Sequence, residues 1–557
     1  MIWLLATVFL CLGLVNLDFS RGWWRGQLRR LAVGVPLIGL YCYAELPPLV
    51  FPQCISLLLI TLLPNVLITS LAAARTMVVS RRIVSLRRTP VWPLAIAIGG
   101  IGLFALVLFV APVVDASGLR DLTGATTSTS GAPAADPRHV RVVPEESATF
   151  AGEKVVGQLG AYYRVGTYNV QSDNGRLVWV APLNFQGLVQ WFSRRTSPGV
   201  VIVDAENPDA PAELRAREPL RYVPSALLND NLRRHVWLRY GTELLLEETM
   251  QLDAQGNPRY LVTLGRPTIG WSGEKVTAVV IVDPATGAME RIPRAQFDKL
   301  PAWVSRVYPP DVVVNYNDWF GRYVHGWWNS VITKRDVHLP AREDVFGILL
   351  ADGRFVWFVD HTSPSRTDKS MTGFTYTDSR TGAMVYYTSS GGEYNSMAAE
   401  DAVGGNPIIK QGRLVPTQPV LYALFGQNTW VVPAIADNGK FQTLALVQAA
   451  GGHVVVGNSG AASPAQDAFA SYRAFLGDRT SSTAEASHVS GTLDRYAYAN
   501  GRVWFTIRER HAVYTMVDPA SADAVLARPG DHVKFETTQD DAGALLVRAF
   551  TDTSLAR

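Results

Sequence analysis

Apolar positions are distributed unevenly along this chain. Four long apolar stretches, residues 1–17, 31–44, 54–73 and 91–112, open it. A helix that crosses a hydrocarbon core of ~30 Å needs about 20 apolar residues. The third and fourth stretches meet that length directly. Between residues 31 and 74 the only charge is Glu45, which leaves room for two spans joined at Glu45-Leu46-Pro47-Pro48. Proline cannot donate the helical hydrogen bond, so it suits the break. The pattern therefore predicts a four-helix transmembrane bundle over residues 1–114. Arg21, Arg25, Arg29 and Arg30 follow the first stretch, and Arg75, Arg81, Arg82, Arg87 and Arg88 follow the third. Positively charged loops stay in the cytoplasm, so the amino terminus and everything beyond residue 114 are expected outside.

Residues 115–139 read DASGLRDLTGATTSTSGAPAADPRH, small and polar without an apolar period, and predict a flexible linker. From residue 140 the period changes. Residues 279–292 read VVIVDPATGAMERI and residues 375–388 read TYTDSRTGAMVYYT. Both contain Asp-x-x-Thr-Gly-Ala-Met, with Asp283, Thr286 and Gly287 in one copy and Asp378, Thr381 and Gly382 in the other. In each, an Arg-aromatic pair, Arg259-Tyr260 or Arg354-Phe355, opens the strand before. Fainter copies place Asp204, Gln448 and Asp518 at the same point. An apolar run ending in Asp and followed by Thr-Gly is turn chemistry. The carboxylate accepts backbone hydrogen bonds and glycine supplies positive φ. These residues are read as a structural turn between strands.

Helices are expected ahead of the hairpins. Val312, Tyr316, Trp319, Phe320, Tyr323 and Trp327 fall within one arc of about 100° at 100° per residue, which predicts a core helix over 312–329. Others are expected over 227–240, 393–403 and from Ser463 to Gly477. The predicted fold class is thus a four-helix transmembrane bundle followed by tandem small α+β repeats. The units run 140–218, 219–300, 301–392, 393–460 and 461–557. A helix, then strands ending in Val-Asp-x-x-Thr-Gly-x-hydrophobic, resembles the PepSY module. Residues 260–292 carry the likeness best and 355–388 next, while Gln448 departs from it. That resemblance implies a bacterial source and a binding or inhibitory role, a peptidase being one kind of partner. It supplies no catalytic residues.

Composition narrows the reading further. Charged residues are 18 % of the 557, and the net charge is +3. The first 114 residues hold nine arginines against Asp18 and Glu45, a charge of +7, so the remainder carries −4. A mildly acidic body argues against nucleic acid as a partner. Cys11, Cys42 and Cys54 all lie near the amino terminus, so no disulfide framework and no cysteine-ligated zinc is expected.

Catalytic signatures are absent: no phosphate-binding glycine loop, no His-Glu-x-x-His and no Gly-x-Ser-x-Gly. Asp360-His361-Thr362-Ser363 groups an acid, an imidazole and hydroxyls, but neighbours in a strand point to opposite faces. Asp336 and His338 share a face, with Glu343 and Asp344 nearby, as a metal site would require. Glu247-Glu248 is a paired carboxylate, and Gly457-Asn458-Ser459-Gly460 is a faint nucleophile-loop pattern. No catalytic residue, metal ligand or cofactor is assigned. Of the aromatics near residue 320, Trp328 alone points away from the core arc. Trp328, Arg322 and His325 are therefore the candidate partner-binding residues.

These readings converge on a non-enzymatic, multi-pass protein of the bacterial inner membrane. Its large extracytoplasmic repeat region would bind or scaffold another envelope protein or a cell-wall partner, with lipid around its helices. A membrane-tethered hydrolase whose site forms between repeats is one alternative. A subunit of an envelope transport or secretion complex is another.

Overall fold

The computed structural model describes residues 2–15, 23–51, 53–59, 61–63, 65–66, 92–365, 367–389, 391–480, 487–499, 502–510, 512–517, 522–539 and 545–555. It divides into two compact units, residues 1–441 with 448–452, and residues 442–447 with 453–557.

β-sheet dominates the first unit. One sheet comprises Tyr163–Val165, Arg176–Phe185, Val200–Asp204 and Glu213–Arg215 in that order, with Asn169–Asp173 also paired to Arg176–Phe185. The next is an antiparallel meander of Leu244–Leu252, Pro258–Arg266, Lys275–Val282 and Met289–Pro293. A third is built on Phe346–Leu349, Phe355–Thr362, Met371–Asp378 and Met384–Thr388. Strands Val415–Pro416, Val420–Leu424 and Gln427–Ile435 follow.

The continuous apolar runs arise because these sheets are covered on both faces. Along Val200–Asp204, Val201 and Val203 enter one core, shared with Trp179, Leu261, Val279, Trp357 and Trp319. Val200 and Ile202 enter a second, shared with Tyr260, Val262, Val280 and Trp237. Every residue of such a strand before its closing Asp is therefore apolar, and no solvent face is left to show alternation.

The expected fold class does not hold. Among the described residues no single helix is long and apolar enough to cross a membrane. Ile2–Leu14 and Gln53–Leu63 are short, and Ile98–Val114 meets Ala116–Leu122 at a 70° bend. Helix Trp23–Glu45 begins among Arg25, Arg29 and Arg30 and contains Pro36. The four-helix transmembrane bundle is thereby overturned, and with it the multi-pass inner-membrane location and the orientation drawn from it. Hydropathy counted side chains that the fold uses against protein: Ile2, Ala6, Leu10, Ile38 and Cys42 pack into the core that holds Leu232 and Trp237. Trp237 Nε1 donates to the Pro47 carbonyl at 3.1 Å, and Arg234 Nε donates to the Tyr43 carbonyl at 2.9 Å. Arg21 and the arginines at 75, 81, 82, 87 and 88 lie outside the described residues.

Residues 115–139 are also not a free linker. Ala116–Leu122 is a helix with Leu119 in the core. Thr126–Ser128 runs parallel to the edge strand Met384–Thr388 in the register Thr126↔Val385. Backbone pairing and one buried leucine outweigh a composition poor in apolar residues.

In the second unit, residues 445–447 pair antiparallel with Val454–Val456. Helix Pro464–Thr480 follows, longer than the expected stop at Gly477. Strands Ser487–Ala499, Arg502–Ile507, Val513–Val517, Leu545–Asp552 and His532–Gln539 then close into a barrel in that order. Its interior holds Val503, Phe505, Ile507, Tyr514, Phe535 and Phe550. A closed barrel replaces the helix-plus-open-sheet module expected over 461–557. Asp518 falls outside the described residues.

Candidate functional site

The repeated aspartates are turn residues. Asp283 Oδ1 accepts from the Ala285 and Thr286 amides at 2.9 and 3.2 Å. Asp378 Oδ1 accepts from the Arg380 and Thr381 amides at 3.0 and 2.8 Å. Gly287 and Gly382 sit at φ +76° and +77°, and each donates its amide to the carbonyl of its Asp at 2.8 Å. Thr286 and Thr381 hydroxyls accept from Ala288 and Ala383 amides at 3.3 Å. Asp204 caps its own turn by accepting from Glu206 and Asn207 amides.

The carbonyl after each anchor recurs as an acceptor. Ala205 receives the amides of Val142 and Val143, Pro284 those of Arg221 and Tyr222, Ser379 those of Val307 and Tyr308, and Ala449 that of Tyr394. Each donor segment precedes a helix: Glu145–Val156, Leu232–Tyr240, Pro310–Arg322 and Ser396–Gly405. One contact thus ties the start of a unit to the end of its sheet, a link that the motif alone did not reveal.

Asp360, His361 and Thr362 are buried and occupied. Asp360 Oδ2 accepts from the Ser396 amide at 2.7 Å, at the start of helix Ser396–Gly405. Burial raises its carboxyl above the usual range, and the hydrogen bonds from Ser396 oppose that. Thr362 Oγ1 donates to the Ser370 carbonyl at 2.8 Å. Glu247 forms a buried pair with Arg306, and Glu248 pairs with Arg233 at 2.5 Å. Ser459 lies in a loop where the Gly460 amide donates to Asn458 Oδ1. No group of three or more His, Cys, Asp or Glu able to hold a metal is present among the described residues.

His361 points away from Asp360. Its Nε2 donates to Asn317 Oδ1 at 2.9 Å, because Asn317 uses its Nδ2 to donate to the Val313 carbonyl. Thr375 Oγ1 donates to the same Oδ1 at 2.6 Å. A neutral His361 then has Nδ1 free to accept, and His338 Nδ1 donates to it at 2.9 Å. The His338 ring stacks on Tyr386 at 4.8 Å. Asp336, expected beside His338, instead meets His325 Nε2 at 3.0 Å.

That last contact borders an open groove. Helix Pro310–Arg322 ends at Tyr323, short of the expected Asn329, and Gly326 at φ +79° turns the chain outward. A turn Gly326–Trp328 and a wide turn Asn329–Thr333 form a finger. Asn329 closes it: Oδ1 accepts from the Thr333 hydroxyl and the Arg335 amide, and Nδ2 donates to the Arg335 carbonyl. Trp328 is 71 % exposed and Ile332 66 %. His325, Trp328, Asn329, Ile332, Thr333 and Arg335 line an open groove of about 470 Å³.

Of the three candidate residues, Trp328 and His325 meet in this groove. Arg322 does not line it and is held by Asp318 in a two-point ion pair at 2.5 and 2.7 Å. Ile332, Asn329, Thr333 and Arg335 went unpredicted, because the local sequence carries no sign of the break at Gly326.

No family model matches this sequence, and no curated protein matches it. Among solved structures it is similar at 9 % identity to a BT0996 RGII complex, over 76 % of this chain and 92 % of that one, with a TM-score of 0.18. A glycoside hydrolase gives 9 % identity over 71 % and 90 %, also at a TM-score of 0.18. Likeness at that level implies neither a shared fold nor a shared activity.

Proposed function

We propose that this chain is a non-enzymatic binding protein. In this reading, PepSY-like repeated units carry the Trp328 groove and present it to a partner protein, a peptidase being the class that the resemblance implies. The observation that supports it is a contrast. Trp328 and Ile332 are exposed over an open groove, whereas Asp360 and His361 are buried in structural hydrogen bonds. Exposed aromatic anchors with a polar rim are typical of binding hot spots. Arg335 on the groove wall and Lys334 beside it favour a partner segment that sets an apolar side chain next to a carboxylate.

The test places a photocrosslinking residue at Ile332 in the full chain and identifies the captured protein. That protein, once purified, is then titrated against the chain. Trp328→Ala is expected to weaken binding about tenfold or more, with circular dichroism unchanged. Undiminished affinity in the folded variant would remove the groove from the function. Asp360→Asn, His361→Gln, His338→Gln and Ser459→Ala are expected to leave binding intact wherever folding is retained. Loss of a hydrolytic turnover in any of them would mean the chain is an enzyme.

A further inference from the structure

We infer that the outer face of the barrel's first three strands is a binding site for an acidic oligosaccharide, one whose sugar rings carry carboxylates. These strands are Ser487–Ala499, Arg502–Ile507 and Val513–Val517, all within the second unit. Alternation sends Val503, Phe505, Ile507 and Tyr514 into the barrel and leaves Trp504, Thr506, Val513 and Thr515 on the outside. Trp504 stands opposite Thr515, and Thr506 stands between Val513 and Arg495. Trp504 is 41 % exposed and Val513 56 %. Arg508 continues the row, its amide still donating across to the Thr492 carbonyl at 2.9 Å.

A bulge sets the charge of this face. Leu493 pairs with Ile507, but the next pair is Arg495 with Thr506. An unbroken register would set Asp494 opposite Thr506. The extra residue puts a guanidinium where that carboxylate would stand, and bulges beside functional sites re-aim side chains in this way. Arg495 and Arg508 are exposed, and among the described residues no hydrogen bond or ion pair holds either side chain. The Thr506 and Thr515 hydroxyls have no hydrogen-bond partner, a cost that a hydroxyl-bearing ligand would remove.

These groups select the ligand. The C–H face of a sugar ring stacks on an indole, and unpaired guanidiniums take carboxylates. Trp504 to Arg508 runs about 13 Å along the strand, long enough to seat an oligomer. A peptide adding as a strand would need an open sheet edge, and the barrel is closed. Single-stranded nucleic acid also stacks on aromatics, but it draws much of its affinity from a strongly basic channel. Residues 453–557 hold ten Lys and Arg against twelve Asp and Glu, a charge of −2. A saccharide with separated carboxylates needs only the two local cations. This inference is independent of the Trp328 groove.

Isothermal titration calorimetry of the full chain at low salt tests it, with β-1,4-linked hexamannuronate and with mannohexaose, its uncharged counterpart. Hexamannuronate is expected to bind about tenfold or more tightly than mannohexaose and to weaken with salt. Trp504→Ala is expected to weaken its binding about tenfold or more. Arg495→Gln with Arg508→Gln is expected to remove the preference for the charged saccharide. Both arginines are exposed, so this variant keeps the test decisive if Trp504→Ala shifts the thermal transition. Failure of hexamannuronate to bind would overturn the inference. So would equal affinity for the two saccharides, or tighter binding of decathymidylate, which would mark a nucleic-acid face.

Discussion

Replacing Gly382 by valine is expected to destabilise the first unit by roughly 3 kcal/mol or more. Two costs combine. At φ +77° a β-branched side chain is strained by about 1–3 kcal/mol. The new Cβ would also stand 2.3 Å from Tyr308 Cζ, on a buried ring in the main core, and overpacking of that kind costs about 1–3 kcal/mol. Gly287→Val repeats the situation at φ +76° against the Tyr222 ring, 2.5 Å away. Gly353→Ala separates the two costs, because Gly353 has φ +82° with nothing within 4 Å of the added atom. It is expected to lose only about 1 kcal/mol. Urea unfolding of the three variants measures this. If Gly382→Val were no worse than Gly353→Ala, Tyr308 would not pack on the turn as described.

Acid is expected to weaken the same unit through the buried histidine pair. Burial, with some help from the nearby Arg120, pushes His338 down to about 4. Burial and the neighbouring His338 also push His361 well below its ordinary value. A proton on His361 Nδ1 would also face the N–H of His338 instead of accepting from it. The unfolded chain takes up protons near pH 6.5 and the folded chain does not. The stability is therefore complete above about pH 6.5 and falls as pH drops toward 4. For His338 the loss is on the order of 3 kcal/mol. Hydrogen exchange of the Phe355–Thr362 amides, corrected for intrinsic rates, should show this between pH 7 and 4.5. His338→Gln and His361→Gln should each flatten the slope, whatever they do to stability at pH 7. An equally steep slope in both variants would assign the acid sensitivity to other groups.

What was readable in the chain was local. The Asp-x-x-Thr-Gly turn depends on a carboxylate, a hydroxyl and a glycine within five residues, and both copies form the same hydrogen bonds. The aromatic helix was readable as far as Tyr323 because Val312, Tyr316, Trp319 and Phe320 repeat at helical spacing. It broke at Gly326, where positive φ is available to glycine but not announced by it. The candidate site was half legible: Trp328 and His325 lie in one groove, while Arg322 had a nearer acid, Asp318, one turn back. The His338–His361 pair could not be read, since 23 residues separate its members. Antiparallel pairing of Pro340 with His361 brings them together.

The amino-terminal fifth shows the same division most clearly. Sequence alone determined that residues 1–114 are apolar, that their charges are almost all arginine, and that turns and strands alternate from residue 140. Tertiary structure decided what the apolar residues face. Hydropathy is a property of a side chain and has no direction, so a helix buried on a sheet and a helix buried in lipid read alike. Only the placement of Leu10 beside the Trp237 core, with Leu4 and Leu37 left outside it, distinguishes the face given to protein from the face that remains.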